Sequence, residues 1–261
     1  MNCLKPALTA VIFALLASAS LSAEETGQEE KPLVIFAASS LTDVLAAQAS
    51  VWIKSAGKQH PKLSFGASAT MARQIQMGAP ADLYISANPV WMQILTKSGK
   101  ANKATALISN QLVLVVPIGD KPVNAFEPTV ASFHELLTGR RLAIADPALA
   151  PAGQYAKAYL SGTGLWATLA TRLAYAPNVR QALRLAESGG LPAFVYESDA
   201  LASARVRIVY IVPPMAIPPI VYQAATLKPE SPDARAFLAY LASEAAGSLW
   251  EKYGFHKIAS N

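Results

Sequence analysis

An α/β fold with mainly parallel sheets, divided into two lobes, is predicted by three observations. Short apolar runs of strand length alternate with helix-length segments along most of the chain. The strand-to-helix turns fall into two groups, before and after about residue 112, with a helical segment left over at the C-terminus. The length of 261 residues, 52% hydrophobic and 15% charged, suffices for one large core or two smaller ones and excludes disorder on composition. In such a fold a ligand sits at the carboxyl ends of the strands, in the crevice between the lobes.

Taken in order, residues 1–23 carry Lys5 as their only charge, then an apolar run, then small residues ending at Ala23. That is the pattern of a cleavable signal peptide, and its apolar part is short for a membrane anchor. Cys3 precedes the apolar run, so a lipid-modified cysteine at the cleavage site is not supported; once it is removed no cysteine remains for a disulfide or a thiolate metal site. Residues 24–31, EETGQEEK, read as a charged leader. Strands are expected in KPLVIFAA (31–38), LSFGA (63–67), ADLYISA (81–87), QLVLVVP (111–117), RLAIADP (141–147), LPAFVYE (191–197) and RVRIVYIVP (205–213). Helices are expected between the first two strands, in TMARQIQMG (70–78), around WMQIL (91–95), and from Ser132, whose capping box closes with Glu135. Others follow in AGQYAKAYLSG (152–162) and NVRQALRLAESGG (178–190), which stops at Gly189 and Gly190. A last long helix runs over 231–254, with Ser231 as cap and Pro232 in its first turn.

The net charge of +5, to which Lys5 contributes one, suits an anionic small molecule but forms no basic stripe of the kind nucleic acids require. Catalytic signatures are missing. His60, His134 and His256 do not fall at zinc-site spacing, and the elbow G-x-S-x-G is absent, FGASATM with Gly66 and Ser68 being the nearest approach. Neither phosphate loop nor dinucleotide fingerprint is present, since SGTGLW at 161–166 follows a helix. Nothing therefore points to ATP or NAD. Asp82, Asp146, Glu197 and Asp199 flank strands, where carboxylates more often cap turns than transfer protons.

The stretch VIFAASSLTDVL places Ser39 and Ser40 between a strand and a helix. A serine there ordinarily caps the helix; it also stands where open N–H groups and a positive helix end can hold an anion. Ser68 in SFGASATM repeats the arrangement, Ala152 and Gly153 follow Pro151 at another helix start, and Val179 follows the cap candidate Asn178 at a fourth. Four such starts without a catalytic group shift the balance toward an anion cleft.

VIFAASSLTDVL, FGASATMARQIQMGAPADLYISAN, DPALAPAGQYAKAYL, PNVRQALRLAESGGLPAFVYESDA and LWEKYGF together resemble the periplasmic molybdate-binding proteins of ABC importers, in the same order from Leu33 to Phe255. The resemblance implies the two-lobed, type II periplasmic-binding-protein fold, each lobe a mixed, mainly parallel sheet, with 32–111 plus 216–261 as one lobe and 112–215 as the other. It implies a monomer in the periplasm that captures molybdate or tungstate for an inner-membrane permease. It implies no enzymatic activity, no cofactor and no direct side-chain ligation of the metal. Ser40 and Ser68 would supply hydroxyl and N–H donors, Ala152 and Val179 backbone N–H, and Tyr196 a phenol. Arg73 and Asp82, in the same motifs, read as structural. The chain departs from the family pattern in Ser39, which could share the role of Ser40, in Ala69, where a further serine is common, and in the proline-rich stretch 212–227. The alternatives are an exported hydrolase of an anionic ester using Ser68 or Ser40, and a binder of another tetrahedral oxyanion such as sulfate.

Overall fold

The computed structural model describes Met1, residues 31–121 and residues 126–258. The expected signal peptide and nearly all of the charged leader lie outside the described residues. From Pro32 the chain forms one compact unit. It begins with β1 (Val34–Ala38), α1 (Thr42–Ala56), β2 (Lys62–Gly66), α2 (Ser68–Gln76), β3 (Leu83–Ser86), α3 (Pro89–Lys97) and β4 (Thr105–Asn110). It continues through β5 (Leu112–Pro117), α4 (Val130–Leu136), β6 (Leu142–Ala145), α5 (Pro151–Gly162) and the short α6 (Trp166–Leu169). Then come β7 (Leu173–Ala176), α7 (Val179–Glu187), β8 (Ala193–Tyr196), α8 (Glu197–Leu201), β9 (Val206–Ile211), β10 (Ile220–Thr226), α9 (Pro232–Leu241) and α10 (Glu244–Lys252).

Two five-stranded sheets result, in the orders β2-β1-β3-β10-β4 and β7-β6-β8-β5-β9. The sheets are mixed, as expected, with parallel and antiparallel pairings in equal number. In each, two pairings are parallel and two antiparallel. The reason lies in how the chain changes sheets. It passes straight from β4 into β5 with only Gln111 between them, so β5 leaves the junction in the direction opposite to the strands that end there. After β9 it returns in the same way through β10.

The parallel registers bring the strand ends together. In the first sheet Ala38 pairs with Gly66 at the ends of β1 and β2, and Ala37 pairs with Ile85 near the end of β3. In the second, Ala145 pairs with Ala176, while Ala143 pairs with Ala193, the first residue of β8. The turns after β1, β2 and β3 therefore open along one rim, and those after β6, β7 and β8 along another. Alternation along the strands gives the first sheet two apolar faces: Phe36 and Tyr84 pack with Met71, Ile75 and Met92, while Ile35, Leu83 and Ile85 join the main core. β5 is buried from Leu112 to Val116, the unbroken apolar run of a strand covered on both sides.

Three local expectations are corrected. Helix α4 is capped by Thr129, with Ser132 as its reciprocal partner: the Ser132 N–H donates to Thr129 Oγ1 at 3.2 Å and the Thr129 N–H to Ser132 Oγ at 3.0 Å. Ser132 is thus the third helical residue, not the cap, and Glu135 has no part in the box. The expected long C-terminal helix breaks at Ala242–Ser243, so that α9 and α10 can both lie on α1. The break frees the Leu241 carbonyl, which accepts from the Trp250 indole at 3.1 Å, and Gln48 of α1 donates to the Ala246 carbonyl at 2.9 Å. Finally, neither Ser40 nor Ser68 caps a helix through its side chain. Ser39–Leu41 is a 3-10 turn ahead of α1 with no side-chain cap, and α2 begins at Ser68 itself after Ala67.

Candidate functional site

Where the two rims face each other there is a cleft of about 200 Å³, its open mouth included. It is lined by Ala38, Ser39, Ser40, Gly66, Ala67, Ser68 and Ala87 from the first sheet's turns, and by Ala150, Pro151, Ala152, Asn178, Val179 and Tyr196 from the second's. The structure thus brings Ser40, Ser68, Ala152, Val179 and Tyr196 to one cavity, together with Ser39. No lining residue carries a charge.

Each of the five offers a hydrogen. At Ser68 the hydroxyl oxygen accepts from the Ala87 N–H at 3.2 Å, which leaves its own proton to donate elsewhere. The Ser40 hydroxyl lies 2.7 Å from the Tyr222 hydroxyl. Pro151 opens α5 and Asn178 caps α7, its carboxamide accepting from the Gln181 N–H at 3.1 Å. Helical geometry gives the first-turn amides of Ala152 and Val179 no partner inside their helices, so they point outward with the positive end of the dipole. Tyr196 ends β8, fully buried, and its hydroxyl has no hydrogen-bond partner among the described residues. Burial, reinforced by Tyr222, Tyr155 and Asp199, pushes that phenol well above its ordinary pKa, so it stays protonated.

An unpaired buried hydroxyl costs about 1–3 kcal/mol, which a fold retains for a reason. Here five donors and no acceptor-only side chain converge, an arrangement complementary to an anion whose oxygens all accept. The departure at Ala69 is accommodated: its N–H donates to the Leu149 carbonyl at 3.2 Å, across the cleft.

The neighbouring cation does not line the cleft, although its Nη2 donates to the Ser40 carbonyl at 3.4 Å. Arg180, next to Val179, places Nη1 at 2.6 Å from Asp43 of α1 and Nε at 2.6 Å from the fully buried Asp199 of α8. Its charge is matched by two carboxylates, and the pair to Asp43 joins the two halves. Arg73 lies over the Trp91 ring at 5.5 Å and Asp82 accepts from the Val34 N–H at 2.8 Å, the structural roles expected of both. The sequence reading missed Arg180, Asn110 and Tyr222. None lies in a motif that distinguishes it from a surface cation, a turn residue or a core aromatic.

Two mixed α/β halves joined by two crossings, with uncharged donors facing each other between them, define a solute-binding protein. The chain belongs to the bacterial extracellular solute-binding proteins, a family that it matches over residues 33–256. It is 37% identical to the molybdate-binding protein ModA of Escherichia coli K12, over 92% of this chain and 96% of that protein. It is also 37% identical to ModA of Haemophilus influenzae, over 85% and 89% respectively. The fold superposes on the periplasmic molybdate-binding protein of Azotobacter vinelandii with a TM-score of 0.75 at 24% identity, covering 88% of this chain and all of that one.

Proposed function

We propose that the protein captures molybdate, and tungstate with it, in the periplasm and delivers it as a monomer to the permease of an ABC importer. The five donors Ser40, Ser68, Ala152, Val179 and Tyr196 hold the oxyanion, with residues 32–111 plus 216–261 as one lobe and 112–215 as the other. The observation that carries the reading is the Tyr196 hydroxyl, buried against the cleft without a partner among the described residues. A desolvated dianion loses hydration worth tens of kcal/mol by a Born estimate. Charge-assisted hydrogen bonds, each about 1.5–3 kcal/mol net, replace that water together with the helix-end dipoles. Donors fixed for the larger tetrahedron stand out of reach of sulfate, and an O–H on a protonated oxyanion finds no carboxylate to accept it, which disfavours phosphate. Because the donors are split between the halves, a bound anion stabilises the closed state alone.

A hydrolase using Ser40 or Ser68 is disfavoured by the same contacts. Nucleophilic serine needs a base within reach, and the hydroxyls bond to a phenol and a backbone N–H. Calorimetric titration with molybdate, tungstate, sulfate and phosphate tests the reading. Tight binding of the first two alone is expected, and equal or tighter binding of sulfate overturns it.

Tyr196→Phe separates a ligand from a packing residue. It removes an orphaned hydroxyl, so thermal stability without ligand is unchanged or higher. Molybdate affinity falls about 10- to 150-fold, the loss of one charge-assisted bond. A fall in ligand-free stability with unchanged affinity would assign the tyrosine to the core.

A further inference from the structure

Behind Ser40, away from the cleft, lies a chain of buried polar groups that the five-donor site does not use. Asn110 ends β4, and its side-chain oxygen accepts from the N–H of the next residue, Gln111, at 2.9 Å. That bond orients the carboxamide, so its nitrogen donates to Ser198 Oγ at 2.8 Å and, more weakly, to the Tyr222 hydroxyl at 3.5 Å. Tyr222 lies on β10, opposite Ile108 of β4, with its ring wedged edge-on between Tyr196 and Phe255. Having accepted from Asn110, the Tyr222 hydroxyl has one proton to give, and the group within reach is Ser40 Oγ at 2.7 Å. Asn110, Ser198, Tyr222 and Ser40 are all buried. Water does not substitute freely for any of these partners, and a donor already on the Tyr222 oxygen favours donation from Tyr222 to Ser40 over the reverse.

We propose that Asn110 and Tyr222 form a directional relay that forces Ser40 to accept from inside the protein, leaving its own proton to donate into the cleft. The two residues are positioning residues, and the inference rests on the anion-binding reading above. Ser68 reaches the same state by a shorter route, since the Ala87 N–H occupies its oxygen. Both serines are thereby made donors before any ligand arrives. A free serine hydroxyl rotates and accepts as readily as it donates, so it tolerates an oxyanion that carries a proton. A serine whose proton faces the anion, with one lone pair already occupied, tolerates it less readily. The relay therefore sets selectivity for the fully deprotonated anion, while the cavity sets selectivity by size. Burial keeps Tyr222 protonated, and so able to donate, well above the ordinary phenol range. Asn110 and Tyr222 flank the two crossings between the sheets, so the donor direction of Ser40 is tied to the segments about which the halves move.

The test is a double-mutant cycle read by calorimetry with sodium molybdate at fixed pH, on Tyr222→Phe, Ser40→Ala and the combined variant, with thermal unfolding of each ligand-free protein. Tyr222→Phe is expected to weaken molybdate binding about 2- to 12-fold, the loss of one neutral hydrogen bond. In the Ser40→Ala background the same substitution has no further effect. Competition titrations against molybdate supply the second readout. The ratio of phosphate to sulfate affinity rises in Tyr222→Phe, because a released Ser40 can accept from the proton that phosphate carries and sulfate lacks. Equal losses in both backgrounds, with an unchanged phosphate-to-sulfate ratio, mean that Tyr222 only packs the core and overturn the relay. Should Tyr222→Phe not fold, Asn110→Leu takes its place in the cycle with the same two expectations. Failure of the wild type to bind molybdate defeats the anion reading itself and the relay with it. Tight wild-type binding with an additive cycle defeats the relay alone.

Discussion

Gly153→Ala is expected to lower the unfolding temperature by roughly 2–12 °C and to reduce molybdate affinity by about two orders of magnitude. A Cβ at this position would stand 2.0 Å from the Ala145 carbonyl oxygen, 2.7 Å from its carbon and 2.8 Å from the Pro147 nitrogen. All three are backbone atoms at the end of β6, so no rotamer change relieves the overlap. The first turn of α5 must withdraw from the strand, carrying the Ala152 amide with it. Overpacking that moves backbone costs about 1–3 kcal/mol, and each kcal/mol is worth about 2–4 °C in a chain of this size. Binding suffers more than stability, because a donor displaced by roughly an ångström no longer meets the 2.7–3.2 Å range of a hydrogen bond. Gly162→Ala, on the same helix with open space around it, is the control and is expected to be neutral or slightly stabilising. Thermal unfolding and calorimetry read both variants; wild-type values for Gly153→Ala would show that α5 does not depend on this close approach.

Arg180→Met is expected to destabilise the protein by about 3–5 kcal/mol, the cost of leaving a buried charge unpaired. Asp199 is fully buried, and the Arg180 guanidinium stands beside it. Asp43→Asn costs much less, since Asp43 is 45% exposed and water replaces the lost partner. Arg180→Met combined with Asp199→Asn recovers most of the loss, because the buried charge disappears with its counter-ion. Chemical denaturation of the four proteins measures this, and a double variant no better than Arg180→Met would mean that the arginine acts by packing alone. A pH dependence follows from the same pair. Burial pushes the Asp199 carboxyl up to about 6 from its ordinary 3.8, although Arg180 pulls it down. A raised carboxyl binds more protons folded than unfolded, so its contribution is largest below the unfolded value and is lost as pH rises through about 6. Between pH 4 and 6 the wild type should therefore lose stability relative to Asp199→Asn. A difference that does not change with pH would place the carboxyl back in its ordinary range.

Much of the fold was legible where local signals agree. The apolar run of β1, the cap at Asn178 and the proline at 151 each act within a few residues, and the structure places β1, α7 and α5 on them. β4, β7 and β10 escaped notice. In β4 half-buried residues alternate with exposed Ala106 and buried Ile108 and Asn110, so Ile108 is the one large apolar side chain on its buried face, β7 is four residues long, and β10 follows a proline-rich stretch that reads as loop. Missing β4 and β10 hid the antiparallel half of the first sheet, whereas in the second the missed β7 is a parallel edge strand beside β6.

The five cleft residues were found through a resemblance, because locally Ser40 and Ser68 are indistinguishable from caps. What the sequence determined by itself is the alternation of strand and helix, the small and hydroxyl residues at four helix starts, and the lack of a catalytic signature. Those are properties of neighbours along the chain, governed by propensity and capping within one turn. Tertiary structure alone decided where the hydroxyls point. Parallel register aligned the strand ends, which pulled both serines out of capping, and Tyr222, 182 residues beyond Ser40, came within 2.7 Å of it. A hydrogen bond is directional and short, so its partner is a matter of position in space, and no pattern along the chain encodes that.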